Sequence, residues 1–228
     1  MSSMKTNRLA LIGGISLLLV AGLTTAILLL PRPAQAQGQS AAPLSTVNCD
    51  SQEASFGDLA ADSLRTAASA QIALVGAISF RAGTLPPGPL GLKRVRTLLA
   101  NPDETWAISR LTGAQIRAAL EHSVRTAPLP NNGFLQVSGL TLSYSQSGGR
   151  DQRVKAVNVG GGALSDGATY TVAMPLSLAK GGSGFFKFFT KDAIATEGTT
   201  SVAAAIVDFA GRQGNVSYTG TGRIAAAP

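Results

Sequence analysis

The sequence predicts a mixed α/β fold, of the α+β kind, in which a mixed sheet is covered by helices. Two segments open with helix-capping patterns, and short apolar or alternating runs lie between and after them. The two kinds of segment alternate irregularly, and some strand-like runs are neighbours in the chain. That order suits a mixed sheet with hairpins, not a regular parallel barrel. No internal repeat is visible.

Residues 1–36 carry the marks of a targeting segment. Lys5 and Arg8 precede the uncharged run Leu9 to Leu30, and Ala34-Gln35-Ala36 supplies a small-residue cleavage pattern. Cleavage after Ala36 makes the segment a signal peptide. Retention makes it a signal anchor, since such a run is long enough to span a bilayer. Under both readings the chain is expected to be exported, periplasmic or secreted, with membrane attachment only through residues 9–30 if they stay. Residues 37–47, rich in Gln, Ser, Ala and Pro, read as a flexible leader. The folded domain is expected over 48–223, and 224–228 as a small-residue tail.

The elements follow in order. Ser55-Phe56-Gly57-Asp58 has the form of a capping box, and Leu59, Ala60, Leu64, Ala67 and Ala68 recur at helical spacing behind it. Gln71 to Val75 reads as a buried strand. Leu85-Pro86-Pro87-Gly88-Pro89 forces a loop, because proline fixes φ and removes donors. A short helix is expected over Leu92 to Leu99 and a strand over Trp106 to Arg110. Thr112-Gly113-Ala114-Gln115 is a second capping box, opening a helix with Ile116, Ala119 and Leu120 on its apolar side. Asn131-Asn132-Gly133 breaks the chain. Leu140, Leu142 and Tyr144 alternate as on a half-buried strand, as do Val157 and Val159. Thr169 to Met174 reads as a strand, and Val202 to Gly211 as the last helix. The loop Gly181-Gly182-Ser183-Gly184 leads into Phe185, Phe186, Phe188 and Phe189; all four can be plain core, and for Phe186 and Phe188 that is the default.

The net charge of +7 falls to +4 when Lys5, Arg8 and Arg32 are set aside, because no acidic residue precedes Asp50. The remaining charge is scattered, with no basic block and no interleaved aromatics, which argues against nucleic acid as a partner. Cys49 is the sole cysteine, so no internal disulfide can form. His122 is the sole histidine. A dinuclear phosphatase centre needs several His and Asp ligands, so no catalytic residue and no metal site are assigned. A Gly-x-Ser-x-Gly elbow is also missing. The glycine loop lacks the Lys-Ser/Thr ending of a Walker loop.

Six stretches in order resemble a known family. Glu53-Ala54-Ser55-Phe56-Gly57-Asp58-Leu59-Ala60-Ala61-Asp62 is similar to the opening of the 5′-nucleotidase C-terminal domain, typically Glu-Ser-x-Leu-Gly-Asn-Leu-x-Ala-Asp. Ala73-Leu74-Val75 with Arg81, Leu111 to Ile116 with Glu121-His122-Ser123, and Gly133 to Gly139 follow in register. Tyr170 to Ala173 and Leu178 to Phe185 complete the series. The resemblance implies that domain's fold and a role in gripping a nucleotide or nucleoside. The family's two metal ions belong to a separate metallophosphatase domain, so none is expected as a cofactor of these residues.

Carried over residue by residue, the ligand-binding positions are Arg81, Phe134, Ser177, Gly181, Gly182, Ser183 and Gly184, with Phe185 as a candidate replacement ring. Several depart from the family pattern. Gly76 stands where the family has Asn, Ser177 where it has the second stacking Phe, and Ser183 where it has the ribose-binding Asp. Stacking on one ring instead of two forfeits about 1–3 kcal/mol. Loss of the charged acceptor forfeits about 1.5–3 kcal/mol more. Three functions stay open: an accessory nucleotide-binding protein, the binding half of a split nucleotide hydrolase with a separate metallophosphatase, and an interaction domain. Phe134, Arg81 and the glycine loop are expected to face one another across a shallow cleft.

Overall fold

The computed structural model describes residues 37–227 apart from Arg150 and Thr221. The targeting segment, residues 1–36, lies outside the described residues, as does Pro228. Among the described residues no helix is long and apolar enough to cross a membrane.

The described residues begin with two short strands, β1 (Gln39–Ser40) and β2 (Leu44–Ser45), followed by α1 (Ser55–Ala67) and β3 (Ile72–Gly76). Two more short strands, β4 (Thr84–Leu85) and β5 (Gly88–Pro89), lead to α2 (Leu92–Val95), β6 (Thr105–Thr112) and α3 (Gly113–Val124). Then come β7 (Leu135–Ser138), β8 (Leu140–Ser145), β9 (Val154–Val159), β10 (Gly162–Ala163) and β11 (Thr169–Pro175). The last part holds α4 (Leu176–Ala179), β12 (Ile194–Ser201), α5 (Val202–Gln213), β13 (Asn215–Val216) and β14 (Ile224–Ala227).

The central sheet has the order β12-β6-β11-β3-β7. Only the β11–β3 pair is parallel; β6 runs antiparallel to both of its neighbours, and β3 antiparallel to β7. A second sheet has the order β10-β9-β8-β14. The mixed α/β class is therefore as the sequence predicts. Helix α1 packs on β3, β7 and α5, while α3 packs on β6 and β9. The core between them is built on Phe56, Leu59, Leu64, Ile72, Leu74, Leu111 and Phe134, each under 2 % exposed.

The two capping patterns behave differently. At α3 the Thr112 hydroxyl accepts the Gln115 N–H at 3.2 Å, and the Gln115 side chain accepts the Thr112 N–H at 2.9 Å. At α1 the helix includes Ser55, whose hydroxyl instead accepts the N–H of Ser45 on β2 at 2.8 Å. A competing strand has taken the cap, and Asp58 is buried beside Arg223.

Both ends of the expected domain need correction. Residues 37–47 are not a flexible leader: β1 pairs with β13 and β5, β2 pairs with β4, and Leu44 is fully buried. The low-complexity composition conceals alternate residues that point inward, Gly38, Ser40, Leu44 and Thr46. Nor are residues 224–227 a free tail, because β14 pairs in parallel with β8. The exposed strand β12 has no apolar alternation to reveal it, and its register breaks twice along β6.

Candidate functional site

The positions that the resemblance singles out come from distant segments, and backbone contacts bring those segments together. The Ala77 N–H donates to the Phe134 carbonyl at 2.8 Å, and the Ile78 N–H to the Asn132 carbonyl at 3.1 Å. A Cβ on Gly133 would stand 3.3 Å from the Ser183 carbonyl oxygen, and one on Gly182 would stand 2.8 Å from that of Ser177. The Ser177 N–H donates to Glu104 at 2.7 Å. The Arg81 guanidinium donates to the Ala100 carbonyl at 3.4 Å and is exposed.

The side chains do not complete the expected cleft. Phe134 is 1 % exposed and belongs to the core, so its ring offers no open face to a ligand. Asn131 accounts for this. Its side-chain amide donates to the carbonyls of His122 and Ser123, at 3.2 and 2.7 Å, and its carbonyl accepts the Gly133 N–H at 2.9 Å. The turn is thereby fastened to the end of α3, and Phe134 enters β7 pointing inward. The sequence marks Asn131 only as part of a chain break; its burial was not legible there. Ser177 is exposed, and Ser183 is half-buried in the left-handed region at φ 56°.

The glycine loop is a tight turn whose conformation requires its glycines. Gly181 has φ 90°, and a Cβ there would lie 2.6 Å from the Phe186 Cα. Gly184 has φ 85°, and a Cβ there would lie 3.1 Å from the His122 Nε2. The turn sends successive phenylalanines in opposite directions. Phe185 is fully buried, stacked on Phe189 at 5.1 Å and edge-on to His122 at 4.7 Å, so it is core and not a replacement ring. Phe186 is 65 % exposed, against the expectation of core packing, and Phe188 is half-buried.

Beside this turn lies a cleft of about 750 Å³, walled by α3 and by residues 184–188. Arg117 and His122 face it from α3, Arg125 from the residue that caps the helix, and Phe186, Lys187 and Phe188 from the turn. Arg117 is occupied by Asp166 at 2.9 Å. Both Glu121 oxygens accept backbone N–H groups, of Arg153 and Val154, each at 2.9 Å. Arg125 rests on the His122 ring, 3.1 Å from Nδ1. Burial lowers the His122 pKa and the Arg125 charge lowers it further, outweighing the Ser183 backbone bond and the Asp151 charge that raise it. The imidazole is therefore neutral at pH 7. Arg81, Phe134, Ser177 and Ser183 do not line this cleft.

Elsewhere, burial and the neighbouring Asp50 push the Cys49 thiol up to about 11, against a backbone bond that lowers it. A protonated, buried thiol is a poor nucleophile and a poor metal ligand. Among the described residues no group of three His, Cys, Asp or Glu side chains could hold a metal ion.

The chain matches the family described as the 5′-nucleotidase, C-terminal domain, over residues 34–191. No curated protein matches it by sequence. The crystal structure of a 5′-nucleotidase precursor from Thermus thermophilus is similar over 86 % of this chain, at 29 % identity and a TM-score of 0.75. Two others share the fold: a Thermus thermophilus sulfate thiohydrolase at 16 % identity over 83 % of the chain, TM-score 0.65, and Haemophilus influenzae NAD nucleotidase at 15 % over 85 %, TM-score 0.69. This chain covers 40 %, 34 % and 39 % of those three proteins respectively.

Proposed function

Because the chain belongs to the 5′-nucleotidase C-terminal domain family, we propose that it is an exported accessory domain that holds a nucleotide or nucleoside weakly without hydrolysing it alone. One observation carries the qualifier. Where the family grips a nucleoside with two rings and an acid, this chain has Ser177, Ser183 and a Phe134 ring that is 1 % exposed. The segments of the family site remain adjacent, which supports retention of a binding surface, while the groups that give affinity are missing or turned away.

Calorimetry with adenosine tests the reading. Ser177→Phe with Ser183→Asp restores a ring and a charged acceptor, and the variant is expected to bind adenosine about ten- to hundredfold more tightly. An unchanged or undetectable affinity in the restored variant overturns the proposal.

A second reading rests on the family itself. In it, this chain is the binding half of a split nucleotide hydrolase completed by a separate metallophosphatase domain. Phosphate release from AMP with Mn²⁺ or Zn²⁺ separates the two. The accessory reading expects no release from this chain, and the split reading expects release only when the second domain is added.

A further inference from the structure

We propose that the cleft between α3 and the turn at 184–188, which meets the family patch only at Gly184, is a ligand site of its own, taking a small aromatic anion that stacks on Phe186 and is neutralised by Arg125 and Lys187. The size is suitable: about 750 Å³ falls in the range of small-molecule pockets, roughly 300–1,000 Å³.

Phe186 is the first observation. At 65 % exposed it is the aromatic member of the exposed large apolar residues, which otherwise are aliphatic: Val47, Ile78, Leu92 and Leu129. Its position is built in. The left-handed residues Gly181, Ser183 and Gly184 turn the chain so that Phe185 fills the core and Phe186 faces the cleft. A flat apolar ring held in water is a stacking platform for another ring.

The charges are the second observation. Among the described residues Arg125 and Lys187 form no ion pair, whereas Arg117 is already held by Asp166 and Glu121 by two backbone donors. Arg and Lys carry only donors, so the complementary group is an acceptor with negative charge, a carboxylate or a phosphate. Asp151, the remaining acid of the cleft, disfavours ligands of high negative charge. A single anionic group on a ring therefore fits best. Half-buried and neutral, His122 forms the floor and adds a polar edge without adding charge.

The experiment uses His122 itself, since it is the only histidine of the chain and its ring protons report on this cleft by NMR. The probes are benzoate and AMP, with adenosine and inorganic phosphate as half-ligands that lack the charge or the ring. Saturable shifts of the His122 resonances are expected with benzoate and AMP, and about tenfold weaker binding with each half-ligand. Phe186→Ala and Arg125→Gln should each weaken benzoate and AMP about tenfold. Both residues are exposed, so an unchanged melting temperature certifies that these variants fold. Arg81→Gln, in the family patch, should leave benzoate binding as it is. If the His122 signals do not respond to any probe, or if Phe186→Ala and Arg125→Gln bind as the parent does, the cleft is not a site. Adenosine affinity gained by Ser177→Phe with Ser183→Asp would then still uphold the proposed function, so the two can fail separately. Unequal responses to benzoate and AMP distinguish a carboxylate from a phosphate occupant.

Discussion

Gln136 and Gly57 show why single residues of the sequence pattern matter. Gln136 is fully buried, accepting the Ala54 N–H at 2.9 Å and donating to the carbonyls of Cys49 and Gln52 at 2.9 and 2.8 Å. A Cβ on Gly57 would lie 2.5 Å from the Gln136 Cγ, so the glycine makes room for the amide that ties the loop before α1 to β7. Gly139, between β7 and β8, is a harsher case. Its φ is 77°, and a Cβ there would sit 2.0 Å from the Gln71 carbonyl oxygen. Gly139→Ala must both enter the left-handed region and displace backbone. It is expected to cost about 3 kcal/mol of stability, read by urea denaturation; a cost under ~1 kcal/mol would contradict the geometry. The pattern identified Gln136 and Gly139 as landmarks, but their reasons lie in contacts from far along the chain.

At the scale of elements, the clamp that closes the domain joins α1, β7 and the segment that leads into the C-terminal strand. The Asp62 carboxylate receives the Arg223 guanidinium through two bonds, at 2.8 and 2.9 Å. It also accepts the hydroxyls of Ser138 at 2.5 Å and Tyr218 at 2.8 Å. Burial alone would raise the Asp62 pKa, but the bonds from Arg223, Ser138 and Tyr218 outweigh it and hold the carboxyl below its ordinary value. A depressed folded-state pKa contributes stability above the unfolded pKa, about 3.9, which is lost as pH falls through the folded value. Asp62→Asn is therefore expected to lower stability at pH 7 by about 3 kcal/mol, because it removes the carboxylate that both Arg223 bonds reach and leaves only the more distant Asp58, at 3.8 Å. The difference from the parent should shrink below about pH 4 as Asp62 itself takes up a proton. Denaturation curves at pH 7 and pH 3 check this; an equal difference at both would refute the clamp. The Thr112–Gln115 cap was readable because it is local, whereas this clamp joins residues 161 positions apart.

Taken whole, the molecule extends beyond the limits that composition suggests. Leu44, in a stretch that reads as leader, is fully exposed in a flexible segment but fully buried under strand pairing. Leu44→Ala should therefore cost about 3 kcal/mol, measured by thermal or urea unfolding, while a flexible leader would tolerate it without effect. Sequence alone determined what is local or periodic: the mixed α/β class, α3 with its cap, the buried strand β3, the alternation of β8, and the family. Periodicity and capping act over three or four residues, so they survive in one dimension. Tertiary structure decided the pairing of β1, β2 and β14, the inward turn of Phe134 and the outward turn of Phe186. Those outcomes depend on which distant backbone offers a partner and on where the last space in the core lies. Gln, Ser and Ala can sit in a loop or on a strand edge, and a phenylalanine can fill a core or line a cleft. The fold chooses between these places by the burial and hydrogen bonds available at each.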